Sequence, residues 1–181
     1  MIPHLARLID ARIEPDVVTL DRKPLLKQEC GKWAKALLNG GCRRVVVLWD
    51  LLPAWGEYEG RGCRHDDKEE ISESLRLAGV RSRDPRVALV CVEKMLESWI
   101  LSDNHALSAF LSTPAHQVRV PRCNRPDDIR DPKAVLNRYF GETRYRKYRD
   151  LEHAGRIIRT AQLNHLRRSQ SFCRFEGKLT T

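Results

Sequence analysis

Acidic side chains stand at or just beyond the ends of two apolar segments that the sequence predicts to be buried strands. Residues 43–50 end in Asp50, and residues 86–92 are followed by Glu93 and Glu97. Sites gather at the carboxyl ends of parallel strands in open α/β sheets, and carboxylate oxygens are the ligands that Mg²⁺ prefers. Four acids are therefore candidate metal ligands: Asp50, Glu93, Glu97 and Asp103.

The same acids also have simpler structural roles. Carboxylates suit the first turn of a helix, where Glu93 and Glu97 are predicted to lie, because the helix dipole favours negative charge there. Asp103 has the position of an N-cap for the helix that follows it, and Asp50 suits the turn after its strand. The sequence leaves both interpretations open for each acid.

The positive charge of the chain is concentrated in its last third. The formal net charge is +9, yet residues 1–118 hold 17 basic and 17 acidic side chains, whereas residues 119–181 hold 16 and 7. Such an excess indicates a surface for nucleic acid or another polyanion, although a solvated arginine-rich face gives the same composition. In the segment RYRKYRD, residues 144–150, tyrosines alternate with cations, which suits backbone contact combined with base stacking. Seven residues are candidate nucleic-acid contacts: Arg144, Tyr145, Arg146, Lys147, Arg149, Arg167 and Arg168.

The elements that position these residues follow from apolar runs and periodicity. Residues 43–50 and 86–92 are solid apolar runs, typical of parallel strands buried on both faces, and residues 16–20 predict a further short strand. Strands that alternate with helices predict an α/β fold with a mostly parallel central sheet and helices on both faces. A length of 181 residues suits a single domain, with residues 1–118 as a charge-balanced sheet core and residues 119–181 as a basic helical part.

Periodic apolar positions predict the helices. In the helix expected after Pro24, Leu25, Trp33, Leu37 and Leu38 are predicted to face inward. Asp131, followed by proline and an apolar stripe, predicts an N-cap and a helix start. A single long helix is predicted over residues 151–166.

Hydropathy and cysteine usage bound the class of protein. The chain is 41% hydrophobic and 31% charged, no apolar run approaches the length of a membrane span, and the first residues lack the basic-then-apolar plan of a signal peptide. The six cysteines are dispersed, with no CxxC pair. A cytoplasmic protein with reduced thiols is therefore expected.

Several short motifs occur in an order that resembles a known family. They are Asp50 after its strand, ESWILSD at 97–103, DPK at 131–133, Tyr145 with Lys147, and Ser171-Phe172 with Phe175. Together they resemble the Toprim-like domain-of-unknown-function family 4276, a bacterial family linked to mobile elements and phage defence. The resemblance covers nearly the whole chain.

The resemblance implies a compact Toprim-like three-layer domain that uses acids at strand ends to hold Mg²⁺ for phosphodiester chemistry. A bound ion of this kind activates water or stabilises the leaving oxygen. In that scheme Asp50 and Glu97 are catalytic acids, and Lys133 and Lys147 hold phosphate as point charges.

Two family features differ in this sequence. Members usually open with a strand that ends in a Glu-Gly-x-Thr-Glu-like turn, which we expect to be missing here, and the usual Asp-x-Asp reads Asp50-Leu51-Leu52. Fewer acids weaken a Mg²⁺ site. Three hypotheses follow: a metal-dependent nuclease, a catalytically degenerate nucleic-acid-binding relative, and a protein-interaction subunit that works beside a partner ATPase.

Overall fold

The computed structural model describes residues 1–51, 64–81 and 84–180 and divides into two compact units. The first unit comprises Met1–Val17 and Glu93–Thr180, and the second comprises the described part of Val18–Val92. Residues 51–65, which the sequence predicts to be a long irregular loop, lie largely outside the described residues. The organisation of the chain as a single domain stays a prediction.

Helices and strands alternate in the first half of the chain, and helices dominate the rest. A 3₁₀ turn covers Pro126–Asp128, and a π-helical segment covers Asp150–Ala154. The remaining elements are, in order, α1 (Ile2–Ile9), α2 (Lys23–Asn39), β1 (Val45–Asp50), α3 (Arg64–Leu77), β2 (Val87–Val92), α4 (Glu97–Ser102), α5 (Asn104–Leu111), α6 (Pro132–Gly141), α7 (Gly155–Ile158), α8 (Leu163–Leu166) and α9 (Gln170–Thr180).

The second unit contains a parallel pair of strands, β1 and β2. Val45 pairs with Val87 at one end of the ladder, and Asp50 pairs with Val92 at the other. Trp49 is buried on β1, as is Val90 on β2. The prediction of a mixed α/β fold with parallel strands is confirmed at this level, because α2 and α3 pack beside a parallel pair.

Helix α2 buries only part of the face that its large apolar residues predict: Leu37 and Leu38 pack against the core of the second unit, as predicted. Leu25 is 42% exposed and Trp33 is 40% exposed, so the prediction that they face inward is wrong. The buried side carries small residues, among them Gly31, because a Cβ there would lie 2.0 Å from the backbone oxygen of Ser74. The Gly31 N–H donates to Ser74 Oγ at 3.1 Å. Close approach of α2 to α3 therefore decides which face is inside.

The first unit packs its helices around aromatic side chains. Trp99 of α4 is fully buried and contacts Phe172 and Phe175 of α9, with ring centroids 5.4 and 5.3 Å apart. The Trp99 indole N–H donates to Ser171 Oγ at 2.8 Å. Phe172 and Phe175 therefore belong to the core of this unit.

Two predicted elements differ in the structure. Residues 16–20 lie in no strand, although their β-branched residues fit the pattern. The helix predicted over residues 151–166 is divided, because the chain turns between α7 and α8, where the Gln162 N–H donates to Asp103 Oδ2 at 2.8 Å. A hydrogen bond to a distant carboxylate thus accompanies the interruption of a helix that local periodicity would continue.

Candidate functional site

A carboxylate, a lysine and a second carboxylate meet in the first unit, and we call them the charged cluster: Glu97, Lys133 and Asp150. The Lys133 Nζ lies 4.0 Å from Glu97 Oε1 and 2.9 Å from Asp150 Oδ2. Each residue occupies the first turn of its element, namely α4, α6 and the π-helical segment. Three chain segments that begin at one place therefore bring these charges together.

Glu97 is the buried member of the charged cluster. Its side chain is 7% exposed, whereas those of Lys133 and Asp150 are 37% and 57% exposed. Burial raises the pKa of Glu97, the Lys133 charge opposes that rise, and the negative charges of Asp150 and Asp131 add to it. A carboxyl group with a raised pKa beside an exposed ammonium is the kind of pair that acid–base sites use.

Asp150 has the opposite shift. Partial burial acts to raise its pKa, but the hydrogen bond from Lys133 and a backbone hydrogen bond outweigh that effect, so the pKa is lowered. The two carboxyl groups of the charged cluster therefore differ in their affinity for a proton, and Lys133 is drawn toward the more exposed one.

Glu93 lies directly after β2 as the sequence predicts, but the prediction that it occupies the first turn of a helix is wrong, because it lies in a bend and α4 begins only at Glu97. It has a cation partner in the same unit. Its Oε1 accepts a hydrogen bond from Arg174 Nη2 at 3.0 Å. The next residue, Lys94, has a φ of 62°. This left-handed conformation is uncommon for a residue with a Cβ and marks a sharp turn between β2 and α4.

Asp103 is occupied by structural hydrogen bonds. Its Oδ1 accepts from the backbone N–H groups of His105 and Ala106 at 3.1 and 3.0 Å and lies 3.0 Å from His165 Nδ1. Burial acts to raise its pKa, but these bonds and that from Gln162 outweigh it, so the pKa is lowered. The N-cap interpretation of Asp103 is confirmed. Both oxygens are engaged with protein donors, which suits a structural role better than that of a metal ligand.

Asp50 is the last residue of β1, as predicted, and it is half-buried. It belongs to the second unit, whereas the other three candidate ligands belong to the first. An ion shared by Asp50 and Glu97 therefore stays a prediction.

The acids of the first unit that the sequence predicts to bind Mg²⁺ fit a divalent cation poorly. Mg²⁺ binds through carboxylate oxygens that coordinate it directly, and a protein cation paired with those oxygens competes for them. Here the ammonium of Lys133 lies between Glu97 and Asp150, and the guanidinium of Arg174 contacts Glu93. The existing partners already balance the negative charge of these carboxylates.

The basic segment, residues 144–149, presents its cations to solvent. Arg144, Arg146, Lys147 and Arg149 are all exposed. Arg146 has a φ of 63°, a conformation that the backbone holds through a hydrogen bond from its N–H to the carbonyl of Thr143 at 3.2 Å. The predicted nucleic-acid contacts in this segment are thus at the surface.

Tyrosines fix the basic segment from beneath. The ring of Tyr145 stacks on Phe110 with centroids 5.0 Å apart, and Tyr148, 2% exposed, contacts Phe140 edge to face. The Tyr148 N–H donates to Asn137 Oδ1 at 3.0 Å. Tyr145 therefore packs within the protein, and its predicted stacking on a base stays a prediction.

Arg167 and Arg168 make contacts within the protein. Arg167 donates to Glu176 through two nitrogens, Nε at 2.9 Å and Nη2 at 2.7 Å. The Arg168 Nη1 donates to the carbonyl of Ser102 and to Asn104 Oδ1. Nucleic-acid contact by this pair stays a prediction. In the basic segment Arg149 is likewise paired, with Glu152 at 3.3 Å, although its side chain is more exposed (73%) than that of Arg167 (52%).

Sequence reasoning missed several members of the site. The sequence predicts no role for Asp150, because no local signal pairs it with Lys133, which lies on another helix. No local signal pairs Arg174 with Glu93 either, because the two residues are far apart in the chain. On α3, ligand atoms of three exposed residues, His65, Asp66 and Glu69, lie within 4.8 Å of one another. Exposed acidic groups on a helix face are ordinary, and we assign this one no role.

Fold and site together define a mixed α/β protein with a buried glutamate beside a lysine and an ordered, exposed basic segment. The family model described as Domain of unknown function (DUF4276) matches residues 2–180, so the chain belongs to that family. No curated protein and no solved structure matches the chain. Within the described ranges, the helices fall short of the length and apolarity that crossing a membrane requires.

Proposed function

We propose that this protein binds nucleic acid through the basic segment, with Lys133 of the charged cluster as an additional phosphate contact. The observation that carries the proposal is the set of four exposed cations, Arg144, Arg146, Lys147 and Arg149, on a segment that packed tyrosines hold in place. Cations fixed before binding lose less conformational freedom when a polyanion arrives. The charge excess of residues 119–181 supports the same surface.

Lys133 extends the basic segment because its partner is at the segment's end. Asp150 directly follows Arg149 in the chain, and it accepts a hydrogen bond from Lys133. A phosphate oxygen that approaches the segment competes with the exposed carboxylate of Asp150 for this ammonium. Lys133 then binds phosphate as a point charge.

The finer parts of this proposal rest on the motif order that carries the family resemblance. It supports a Toprim-like, bacterial protein that acts in the cytoplasm, in phage defence or mobile-element biology, beside a partner ATPase. The Toprim-like three-layer arrangement belongs to the same proposal.

The test is binding of fluorescently labelled DNA and RNA, single-stranded and duplex, measured by anisotropy. The variant R144Q/R146Q/K147Q/R149Q is expected to lose about tenfold or more in affinity, because each cation that contacts phosphate releases counterions. A matched control, R12Q/K32Q/R76Q/R86Q, removes the same charge at four exposed positions that pair with neighbouring acids. Equal losses in both variants, or no binding by the native protein, would overturn the proposal.

The motif order that carries the family resemblance supports a second candidate function, a metal-dependent nuclease, although the acids of the first unit fit a divalent cation poorly. Glu97 is buried beside Lys133 and has a raised pKa, which is common in acid–base sites. The assay is cleavage of DNA and RNA with Mg²⁺, with Mn²⁺ and with a chelator. Cleavage that needs metal and is lost in both Glu97→Gln and Asp50→Asn would establish it. Cleavage that persists when both residues are replaced would exclude these acids.

A further inference from the structure

A buried histidine lies beneath the basic segment. His153 is 2% exposed and contacts the rings of Phe140 and Tyr145, with centroids 4.8 and 5.2 Å apart. Its Nδ1 accepts the backbone N–H of Arg149 at 2.9 Å. The imidazole therefore holds the carboxyl end of the basic segment directly.

The hydrogen bond to Arg149 fixes the tautomer of His153. A ring nitrogen that accepts an N–H has no proton of its own, so the proton of the neutral imidazole is on Nε2. That nitrogen is buried and has no hydrogen-bond partner among the described residues. Protonation would place a second proton on Nδ1, where it would face the Arg149 N–H, and the existing bond would be lost.

The charged groups around His153 have opposing effects on its pKa. Glu152 Oε1 lies 3.4 Å from Nε2, a contact at ion-pair distance without hydrogen-bond geometry, and its carboxylate favours the charged ring. Arg149 and Arg156 disfavour it. The aromatic neighbours Tyr145 and Tyr148, with Phe110 and Phe140, contribute no formal charge.

Burial is the largest influence on the pKa of His153, and it lowers that pKa below the ordinary value of 6.5. A histidine whose folded pKa lies below its unfolded pKa contributes stability that is fully present above the unfolded value. That stability is lost as the pH falls through the folded pKa.

We propose that His153 is a pH-sensitive switch for the basic segment: the neutral ring holds Arg149 in place, and the protonated ring releases it, so that nucleic-acid affinity falls in acid. This regulation rests on the proposed function of the segment. It is distinctive, because added positive charge on other histidines ordinarily strengthens nucleic-acid binding as the pH falls.

The first measurement is amide hydrogen exchange by NMR, which does not depend on nucleic acid. Between about pH 7.5 and pH 5, the protection of the Arg149 N–H in the native protein is expected to fall about tenfold or more relative to the amides of α4. In His153→Asn the side-chain oxygen takes the place of Nδ1 as acceptor and does not titrate, so protection at Arg149 is expected to persist. His116→Asn, at an exposed position, is the matched control and should behave as the native protein does.

The second measurement is affinity for labelled DNA over the same pH range. The native protein is expected to weaken in acid, whereas His153→Asn is expected to bind equally well or better. Unchanged protection of Arg149 in the native protein, or equal loss in His153→Asn, would overturn the switch. Absence of binding at every pH would overturn the proposed function alone, because the amide measurement still decides the switch. If His153→Asn does not fold, the ¹⁵N shifts of the native ring decide: a proton acquired by Nδ1 while the Arg149 N–H stays protected would contradict the proposal.

Discussion

Two lysine–carboxylate groups, one in each unit, use the same chemistry to different ends. In the second unit, Lys23 Nζ lies 2.6 Å from Asp67 Oδ2, and the two side chains are 3% and 7% exposed. In the first unit, Lys133 joins buried Glu97 to exposed Asp150 and is itself 37% exposed. We call Lys23 and Asp67 the closed pair, because both side chains are excluded from solvent. We call Glu97, Lys133 and Asp150 the open group, because Lys133 and Asp150 are partly exposed.

Further hydrogen bonds complete the closed pair. The Trp49 indole N–H donates to Asp67 at 3.2 Å, and Lys23 also donates to the carbonyl of Leu51 at 3.3 Å. Burial lowers the pKa of Lys23 although Asp67 opposes the change. A pair of this kind fixes α2, α3 and the end of β1 to one another, whereas the open group can exchange a carboxylate for a ligand. The degree of closure distinguishes a structural ion pair from a candidate site.

The substitution with the largest expected effect on stability is one that breaks the closed pair. Asp67→Asn removes the charge that balances buried Lys23, and an uncompensated buried charge costs about 3–5 kcal/mol. The free energy of unfolding from urea titration is therefore expected to fall by that amount.

The open group supplies the control for this change. Asp150→Asn breaks an exposed ion pair and is expected to cost less than about 1 kcal/mol. If the two substitutions destabilise the protein equally, closure does not distinguish the two groups.

A smaller effect is expected in the pH dependence of the free energy of unfolding, through Glu97 of the open group. The folded pKa of Glu97 is raised above its ordinary value of 4.5, so the folded state binds the proton more tightly than the unfolded state does. The stability that this proton contributes is complete below pH 4.5 and is lost as the pH rises through the folded pKa. Glu97→Gln is permanently neutral and escapes this loss.

The free energy of unfolding of Glu97→Gln, compared with that of the native protein, is therefore expected to improve from pH 4.5 to pH 7. The gain is about 1.4 kcal/mol for each unit by which the pKa is raised. Glu142→Gln, at an exposed position, serves as the control and should follow the native curve. Parallel curves for Glu97→Gln and the native protein would show that burial does not perturb this carboxyl group.

Local patterns predicted the parts of the fold that depend on neighbours in sequence. The apolar runs before Asp50 and Glu93 are strands, and Asp131 caps α6 by accepting the Ala134 N–H at 2.8 Å. Gly79, just after the end of α3, has a φ of 77°, which glycine adopts without strain. In each case the determinant lies within a few residues of the feature.

Distant contacts decide what the sequence did not predict. The inner face of α2 is set by the approach of Ser74 to Gly31, and the turn after α7 by Asp103, far away in the chain. The charged cluster joins Glu97 to Asp150 through Lys133 in the same manner. The periodicity of a single sequence predicts which face of a helix is apolar. It does not predict which carboxylate pairs with which distant cation.

The salt dependence of DNA binding tests the central claim most directly. The logarithm of the association constant falls with the logarithm of salt concentration by about 0.9 for each phosphate contact on duplex DNA. We predict a steep slope for the native protein and a slope smaller by about 3 to 4 in R144Q/R146Q/K147Q/R149Q, with the control R12Q/K32Q/R76Q/R86Q close to native. Equal slopes in the native protein and the segment variant would contradict the account, because the basic segment would then make no phosphate contacts.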